Sequence, residues 1–249
     1  MFRDAYPGVA IISTEFTREL VGDQGPTFLS TQRKTNCDQA VQRRKYIEDG
    51  KLPDGRAVTD DITRRLNRMA DTLDHIDVDL VPTVHAPPTI GFDKELTINL
   101  GKREVKVMWL GRANTGGDAV AWIPDERVLL AADTVVASTP FAFGSYMSEW
   151  PVTLQKMIDM NPTTVIPGHG PAMHDDSYLK ILVEMFQALS AQVQQAVAKG
   201  SSLEDTQNRV ALDDFGQHLA AGDKGRLAAF RRAFSSQQWI APTRSPPAR

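Results

Sequence analysis

Apolar residues recur at helical spacing in the first third of the chain. From residue 60 to residue 76 they follow steps of three and four, with arginine and aspartate residues between them. This is the period of one apolar helix face, so we predict a helix from about Asp60 to His75. A weaker pattern of the same period predicts a second helix from about Cys37 to Glu48. Asp54-Gly55 between them is typical of a turn.

Alternation with a period of two replaces the helical spacing after residue 96. It predicts one hairpin over residues 96–109 and a second over residues 119–132, the latter turning at Pro124-Asp125-Glu126. Near the start of the chain, the run VAII at residues 9–12 follows a Pro-Gly turn signal and predicts a short buried strand.

The last strand of the second hairpin bears on function. Its sequence VLLAAD is apolar up to Asp133, which predicts a strand that is buried on both faces and delivers a carboxylate at its exit. A helix predicted over residues 148–160 is followed by a β-branched strand, residues 163–166, and by the loop PGHG at residues 167–170. This alternation of helix, short strand and loop predicts an α/β fold.

Length and composition favour a single domain. The chain has 249 residues, 41% of them hydrophobic, and no long linker divides it, so we predict one domain over residues 1–240. Its last part contains predicted helices from about Asp175 to Lys199 and from about Lys224 to Trp239. The sequence PTRSPPAR that ends the chain predicts a disordered tail over residues 241–249.

Charge and targeting signals exclude several classes of partner. The formal net charge is −3, from 28 basic and 31 acidic residues, so we expect neither nucleic acid nor an anionic membrane as a partner. No run of about 18 apolar residues is present, and the first residues do not have the pattern of a secretory signal. As written, the sequence predicts a cytoplasmic protein, although a signal peptide could have preceded Met1.

Residues that could carry chemistry are few. The chain has five histidines and one cysteine, with no CxxC and no HxHxDH spacing. The GxSxG, GxGxxG and GxxxxGK[ST] motifs of other enzyme classes are also absent. Four of the histidines are isolated in sequence and favour surface or structural roles: His75, His85, His174 and His218.

Three segments in a fixed order resemble the metallo-β-lactamase superfamily. They are GRANTGGD at residues 111–118, AADTVV containing Asp133, and PGHG containing His169. They are similar to the GxxHTxGD turn, the strand-end aspartate and the PGHG loop of that superfamily, and to a branch with GNTxGD in place of HTxGD. The resemblance is best over residues 80–200 and leaves the helical region 31–76 unassigned. It implies an αββα sandwich, in which two facing sheets lie between outer helices.

The resemblance also implies a metal centre that holds one or two zinc ions. Asp133 and His169 would be ligands, and Asn114, at the third-histidine position, a weaker one. Zinc prefers imidazole, thiolate and carboxylate to the neutral oxygen of an amide. Asp118 and Thr115 would hold the ligand turn in place by hydrogen bonds. Phe141, Phe143 and Tyr146 would either line a substrate pocket or pack as aromatic residues of the core.

The HxHxDH motif, which supplies most ligands of the first metal in this superfamily, is absent from these 249 residues. We therefore expect the fold to lack its first strands and its first ligand loop. The hypothesis that explains this is that Met1 is an internal methionine of a longer gene product, and in-frame codons upstream of Met1 that encode no such motif would contradict it.

The resemblance implies a hydrolase that uses zinc to cleave an ester, amide, thioester or lactam in a small-molecule substrate, or a truncated form with an impaired metal site. The alternative is a metal-free remnant that acts as a binding or oligomerising module. Strand edges left exposed by the missing part would favour a homo-oligomer. Asp118, Asp133 and His169 favour the hydrolase, whereas Asn114 and the missing motif favour the remnant, so activity of this polypeptide is left open.

Overall fold

A computed structural model describes residues 2–235, apart from residues 54, 84, 138 and 141–144. The predicted tail at 241–249 and two of the predicted pocket residues, Phe141 and Phe143, lie outside the described residues. Contacts group the chain into two compact units. The first contains the described residues of Met1–Ile11 and Arg18–Thr89, and the second those of Ile12–Thr17 and Ile90–Arg249. The single domain over residues 1–240 stays a prediction, because two contact units can belong to one folding domain.

The described residues form both helices and strands, in the mixed α/β class that the sequence predicts. The helices are α1 (Phe2–Ala5), α2 (Glu15–Glu48), α3 (Asp60–Leu80), α4 (Trp150–Asp159), α5 (Ser177–Ala198), α6 (Leu203–Arg209), α7 (Asp213–Ala220) and α8 (Lys224–Ser235). The strands are β1 (Ile12–Thr14), β2 (Ile90–Phe92), β3 (Glu95–Leu100), β4 (Arg103–Met108), β5 (Val120–Ile123), β6 (Val128–Val136) and β7 (Thr164–His169). The predicted fold class is confirmed.

The first unit consists mainly of two long helices. The prediction of α3 is confirmed: Thr59 caps its start by accepting a hydrogen bond from the Ile62 amide, and the helix continues to Leu80. The predicted end of α2 at Glu48 is also confirmed, but its predicted start at Cys37 is wrong, because the helix begins at Glu15. Two glycines and a proline between residues 22 and 26 weakened the helical signal there without breaking the helix.

The second unit contains both sheets. Strands β1 and β2 form a parallel pair, and β3 to β7 form a five-stranded sheet in chain order. Its first four strands are antiparallel, so both predicted hairpins are confirmed, and β7 lies parallel to β6. The strand predicted at residues 9–12 is displaced, since the observed strand starts at Ile12. The resemblance implies two facing sheets. The described residues form this five-stranded sheet and a separate sheet of two strands.

Helices cover one face of the five-stranded sheet. Leu129, Ala131 and Val165 on that face are fully buried in one cluster with side chains of α4 and α5. Within the cluster Trp150 stacks on Phe186 with ring centroids 4.6 Å apart. The opposite face is more open, and Leu130 and Ile166 on it are 36% and 41% exposed. The prediction that β6 is buried on both faces is therefore wrong, because no described element covers the Leu130 side completely.

Candidate functional site

Asp133 lies inside β6, at the point where its pairing with β7 is irregular. The register passes from Leu130 opposite Ile166 to Val136 opposite His169, so β6 bulges over this stretch. Asp133 was predicted at the exit of the strand, but β6 continues to Val136. A strand bulge turns a side chain out of the regular pleat, which is a common way to present a functional group.

Most of the segment PGHG, predicted as a loop, belongs to β7, which continues to His169, and it lies directly against Asp133. A Cβ atom on Gly168 would overlap the Asp133 carboxylate and would stand 2.7 Å from the backbone carbonyl carbon of Ala132, so only glycine permits this approach. The next residue, His169, places its Nε2 atom 3.6 Å from Asp133 Oδ1. This distance exceeds that of a hydrogen bond but allows an ion pair when the imidazole is protonated. The structure thus brings two of the predicted metal ligands together, both about half exposed.

Asn114 occupies a different environment. Its side chain is only 4% exposed, and its carboxamide oxygen accepts a hydrogen bond of 3.0 Å from the Ser145 hydroxyl. That oxygen is the atom that would bind a metal, so its lone pairs are at least partly engaged elsewhere. A second bond, from the Tyr146 amide to the Ala113 carbonyl at 2.8 Å, joins the same two segments. In this arrangement Asn114 joins two loops.

Asp118 and Thr115 stabilise the glycine-rich turn. The carboxylate of Asp118 accepts the amide N–H of Thr115 at 2.8 Å and also its hydroxyl. Burial raises the pKa of Asp118 above its ordinary value, and these bonds from Thr115 act in the opposite direction. The negative charge of Asp133 also raises the pKa of Asp118. Their predicted supporting role toward a metal stays a prediction.

Zinc in a catalytic site takes three protein ligands, and in a structural site four. Among residues 2–235, with the gaps given above, no three histidine, cysteine, aspartate or glutamate side chains come together in a way that could hold a metal ion. Asp133 and His169 are chemically suitable donors, but two donors are fewer than the three that a catalytic zinc site needs. The described residues therefore do not fit a complete zinc site, and the roles of Asp133, His169 and Asn114 as ligands stay predictions.

The other histidines of the chain have their own surroundings. In the first unit, the Nδ1 atom of His75 lies 2.7 Å from the Asp71 carbonyl, and His85 packs edge-on against Phe28. In the second unit, His174 and His218 are exposed. None of the four belongs to a metal-binding group among the residues that the structure describes.

Sequence reasoning missed Arg112, which joins the glycine-rich turn to the segment before α4. Its guanidinium donates two hydrogen bonds to the Glu149 carboxylate, at 2.9 and 2.6 Å. It also lies 4.5 Å from the centroid of the Tyr146 ring. The Thr153 hydroxyl donates to the Arg112 carbonyl at 2.9 Å. Nothing in the sequence signals this pairing, since Arg112 and Glu149 are 37 residues apart.

A cavity of about 530 Å³ lies beside Arg112 in the second unit. Tyr146, the described member of the predicted substrate pocket, lines it. The other residues that line the cavity are Thr14, Glu15, Phe16, Phe92, Asp93, Lys94, Trp109, Arg112, Gly116 and Glu149. Its volume is within the range of about 300–1,000 Å³ that is usual for small-molecule sites.

Comparison with known proteins gives partial matches. Over 89 residues the chain is 28% identical to a metallo-β-lactamase type 2 from Bacteroides fragilis, covering 33% of this chain and 36% of that protein. A metallo-β-lactamase structure from Pontibacter korlensis is 22% identical with a TM-score of 0.38, covering 41% of this chain and 50% of that one. A structure of a double mutant of the sec-alkyl sulfatase PisA1 is 19% identical with a TM-score of 0.43, covering 52% of this chain and 22% of that one. No protein-family model matches the chain.

The chain thus spans 36% of the length of this curated relative and half of the Pontibacter protein. Both TM-scores are below 0.5, so neither structural alignment carries an assignment by itself. Within the described residues, no helix combines the length and the apolar character needed to cross a membrane. The resemblance predicted from the three sequence segments is confirmed: over part of its length this chain is similar to metallo-β-lactamases.

Proposed function

We propose that this chain is a hydrolase of the metallo-β-lactamase type, and that Asp133 and His169 are the side chains that it contributes to a zinc site. The observation that carries the proposal is the 3.6 Å separation of His169 Nε2 and Asp133 Oδ1 at the bulge of β6. Two residues far apart in sequence, both of types that zinc prefers, converge at one edge of a sheet. The substrate would be a small molecule with an ester, amide, thioester or lactam bond.

A complete zinc site needs at least one more donor than the described residues bring together. That donor would have to come from residues outside the described ranges or from a second polypeptide. A second copy of the chain, paired through an exposed strand edge, is one such source. Homo-oligomerisation is therefore part of this proposal, and it makes the expected metal affinity depend on protein concentration.

The alternative function is that of a metal-free binding module. The observation that favours it is the bond from Ser145 to the Asn114 oxygen, which engages the third expected donor in holding two loops together. In this case the turn at residues 111–118 would serve to position the cavity wall, and the Asp133–His169 pair would be a remnant without catalysis.

Zinc titration with matched variants separates the two functions. Isothermal titration calorimetry would follow zinc binding to the wild type, Asp133→Asn, His169→Ala and the control His174→Ala, which removes an exposed histidine from a nearby loop. We expect the hydrolase to bind zinc, with a loss of at least about tenfold in affinity in the Asp133 and His169 variants only. Equal zinc binding by all four proteins would contradict a site at Asp133 and His169.

Hydrolysis is then assayed with a chromogenic β-lactam, a p-nitrophenyl ester and a thioester. Turnover that requires zinc and disappears in His169→Ala would support the hydrolase. No turnover and no zinc binding at protein concentrations up to about 100 µM, far above a micromolar Kd, would support the metal-free module.

A further inference from the structure

The bulge of β6 leaves part of the strand outside the regular pairing of the sheet. Residues 133–135 have no register partner in β7, and they lie between the paired residues Ala132 and Val136. Ala132 has a φ of +46°, in the left-handed region that alanine rarely adopts. Residues 134–136 are at most 4% exposed. Buried backbone groups outside the regular pairing need other hydrogen-bond partners, so the bulge that carries Asp133 depends on groups outside the sheet.

Two aromatic side chains of the helix layer supply such partners. The indole N–H of Trp150, at the start of α4, donates to the Thr134 carbonyl at 3.1 Å. The hydroxyl of Tyr178, in the first turn of α5, donates to the Val136 carbonyl at 2.7 Å. Burial raises the pKa of Tyr178, so this hydroxyl remains protonated and can donate over the whole physiological pH range. Helices α4 and α5 therefore both hold the bulge through its backbone.

The bond from Tyr178 acts on the peptide group that also holds His169. The carbonyl of Val136 and the N–H of Ala137 belong to one planar peptide unit. That N–H donates to the His169 carbonyl at 3.0 Å. Tyr178 and His169 are therefore bonded to opposite ends of a single rigid group. A hydrogen bond accepted at the C=O end of this group also strengthens its N–H as a donor.

The backbone on both sides of His169 fits closely against β6 and the residue after it. A Cβ atom on Gly168 would lie 2.7 Å from the carbonyl carbon of Ala132. A Cβ atom on Gly170 would lie 2.9 Å from the Cβ atom of Ala137. Because His169 lies between these two contacts, a change in the orientation of the peptide group at Ala137 would displace the imidazole.

We infer that Tyr178 is a positioning residue for the Asp133–His169 pair. Its hydroxyl fixes the peptide group between Val136 and Ala137, and that group sets the place of His169 opposite Asp133. The result is the 3.6 Å separation of His169 Nε2 and Asp133 Oδ1. The catalytic importance of this position rests on the proposed function, whereas the geometry itself requires no metal.

The imidazole signals of the metal-free protein test the role of Tyr178. The chain has five histidines, and in a carbon–proton correlation spectrum recorded in EDTA the signal lost in His169→Ala belongs to His169. Tyr178→Phe removes only the hydroxyl group. We expect the His169 signal to shift or broaden in this variant while the other four remain in place. A His169 signal that is unchanged, or comparable shifts of all five signals, would overturn the inference.

Hydrogen exchange of the Ala137 amide measures the same link directly. In Tyr178→Phe this amide should exchange at least about fivefold faster, the effect of losing one net hydrogen bond. The control Thr206→Val removes another buried hydroxyl, which donates to the Ser202 carbonyl at 2.8 Å. It should lower the stability in urea to a similar extent and leave the Ala137 amide and the His169 signal unchanged. Equal effects of the two variants would mean that the Tyr178 hydroxyl only stabilises the fold, contrary to the inference.

Zinc titration of Tyr178→Phe connects the position of His169 to the proposed function. We expect the variant to bind zinc about tenfold more weakly than the wild type, because groups that orient a metal ligand contribute about that much to affinity. A wild type that binds zinc no more tightly than the variant would overturn the positioning role. A wild type that binds no zinc would contradict the proposed hydrolase, and the imidazole and amide measurements would still decide the role of Tyr178.

Discussion

The two compact units differ in how much apolar surface they bury. In the second unit, helices cover one face of a sheet and enclose a continuous core that includes Trp150, Leu182 and Phe186, all at most 1% exposed. In the described part of the first unit, the only fully buried hydrophobic residues are two alanines, Ala40 and Ala70. The comparison shows that a sequence can specify long, regular helices without burying a large apolar core.

The reason lies in what each helix packs against. A sheet offers a broad surface on which large side chains pack, whereas the described buried hydrophobic residues of α2 and α3 are the small Ala40 and Ala70. The apolar face of α3 is consequently only partly buried, and Met69 and Ile76 on this helix remain exposed. Ion pairs join the two helices, for example Arg33 with Asp77 at 3.0 Å. Such pairs at a surface contribute little to stability, because water and salt screen the two charges.

The largest expected effect contrasts one residue of each unit. Phe186→Ala removes a fully buried ring that stacks on Trp150, so it should lower the free energy of unfolding by about 3–5 kcal/mol. Ile76→Ala truncates a side chain on α3 that is 41% exposed, and it should cost less than about 1 kcal/mol. Urea denaturation followed by circular dichroism measures both. Equal losses would show that the first unit depends on a core that these contacts do not reveal.

A pair of glycine substitutions is expected to have smaller effects of opposite sign. A Cβ atom on Gly216 in α7 would lie 2.5 Å from the buried Phe230 ring, so Gly216→Ala should destabilise by about 1–3 kcal/mol. Gly22 in α2 has open space around it, and Gly22→Ala should stabilise by about 0.5–1 kcal/mol through helix propensity. Thermal melts of the two variants and the wild type measure both effects. A lower melting temperature for Gly22→Ala than for Gly216→Ala would contradict the expected order.

The smallest effect concerns the pH dependence of the second unit. Backbone N–H groups of Arg226 and Gly225 donate to the Asp223 carboxylate at the start of α8 and lower its pKa. A carboxyl group with a lowered pKa in the folded state stabilises the protein above its unfolded pKa of about 3.9, and this contribution is lost as the pH falls through the folded value.

Asp223→Asn should therefore flatten the decline of the denaturation midpoint between about pH 5 and pH 3, relative to the wild type. Asp125→Asn, on an exposed turn, is the control and should leave the decline unchanged. A slope that is the same in the wild type and in Asp223→Asn would show that this carboxylate does not contribute to acid stability.

Local patterns in the sequence predicted most elements of the fold. The two hairpins, the end of α2, the start of α3 and the first part of β7 follow from periodicity and turn residues, which act between near neighbours. The start of α2 was missed because Gly22, Gly25 and Pro26 lower helix propensity, and tertiary context overrides propensity. The prediction that β6 is buried on both faces was wrong for a related reason. A run of apolar residues does not indicate which face of a strand another element covers.

The sequence by itself determined the residue types at the candidate site and their resemblance to a metal-binding set, including Asp133 and His169. Only the tertiary structure decided that these two converge at a bulge, that the Asn114 oxygen accepts a hydrogen bond from Ser145, and that Arg112 pairs with Glu149 beside a cavity. The physical reason is that hydrogen bonds, ion pairs and cavities depend on distances between residues far apart in the chain, and no local spacing rule contains those distances.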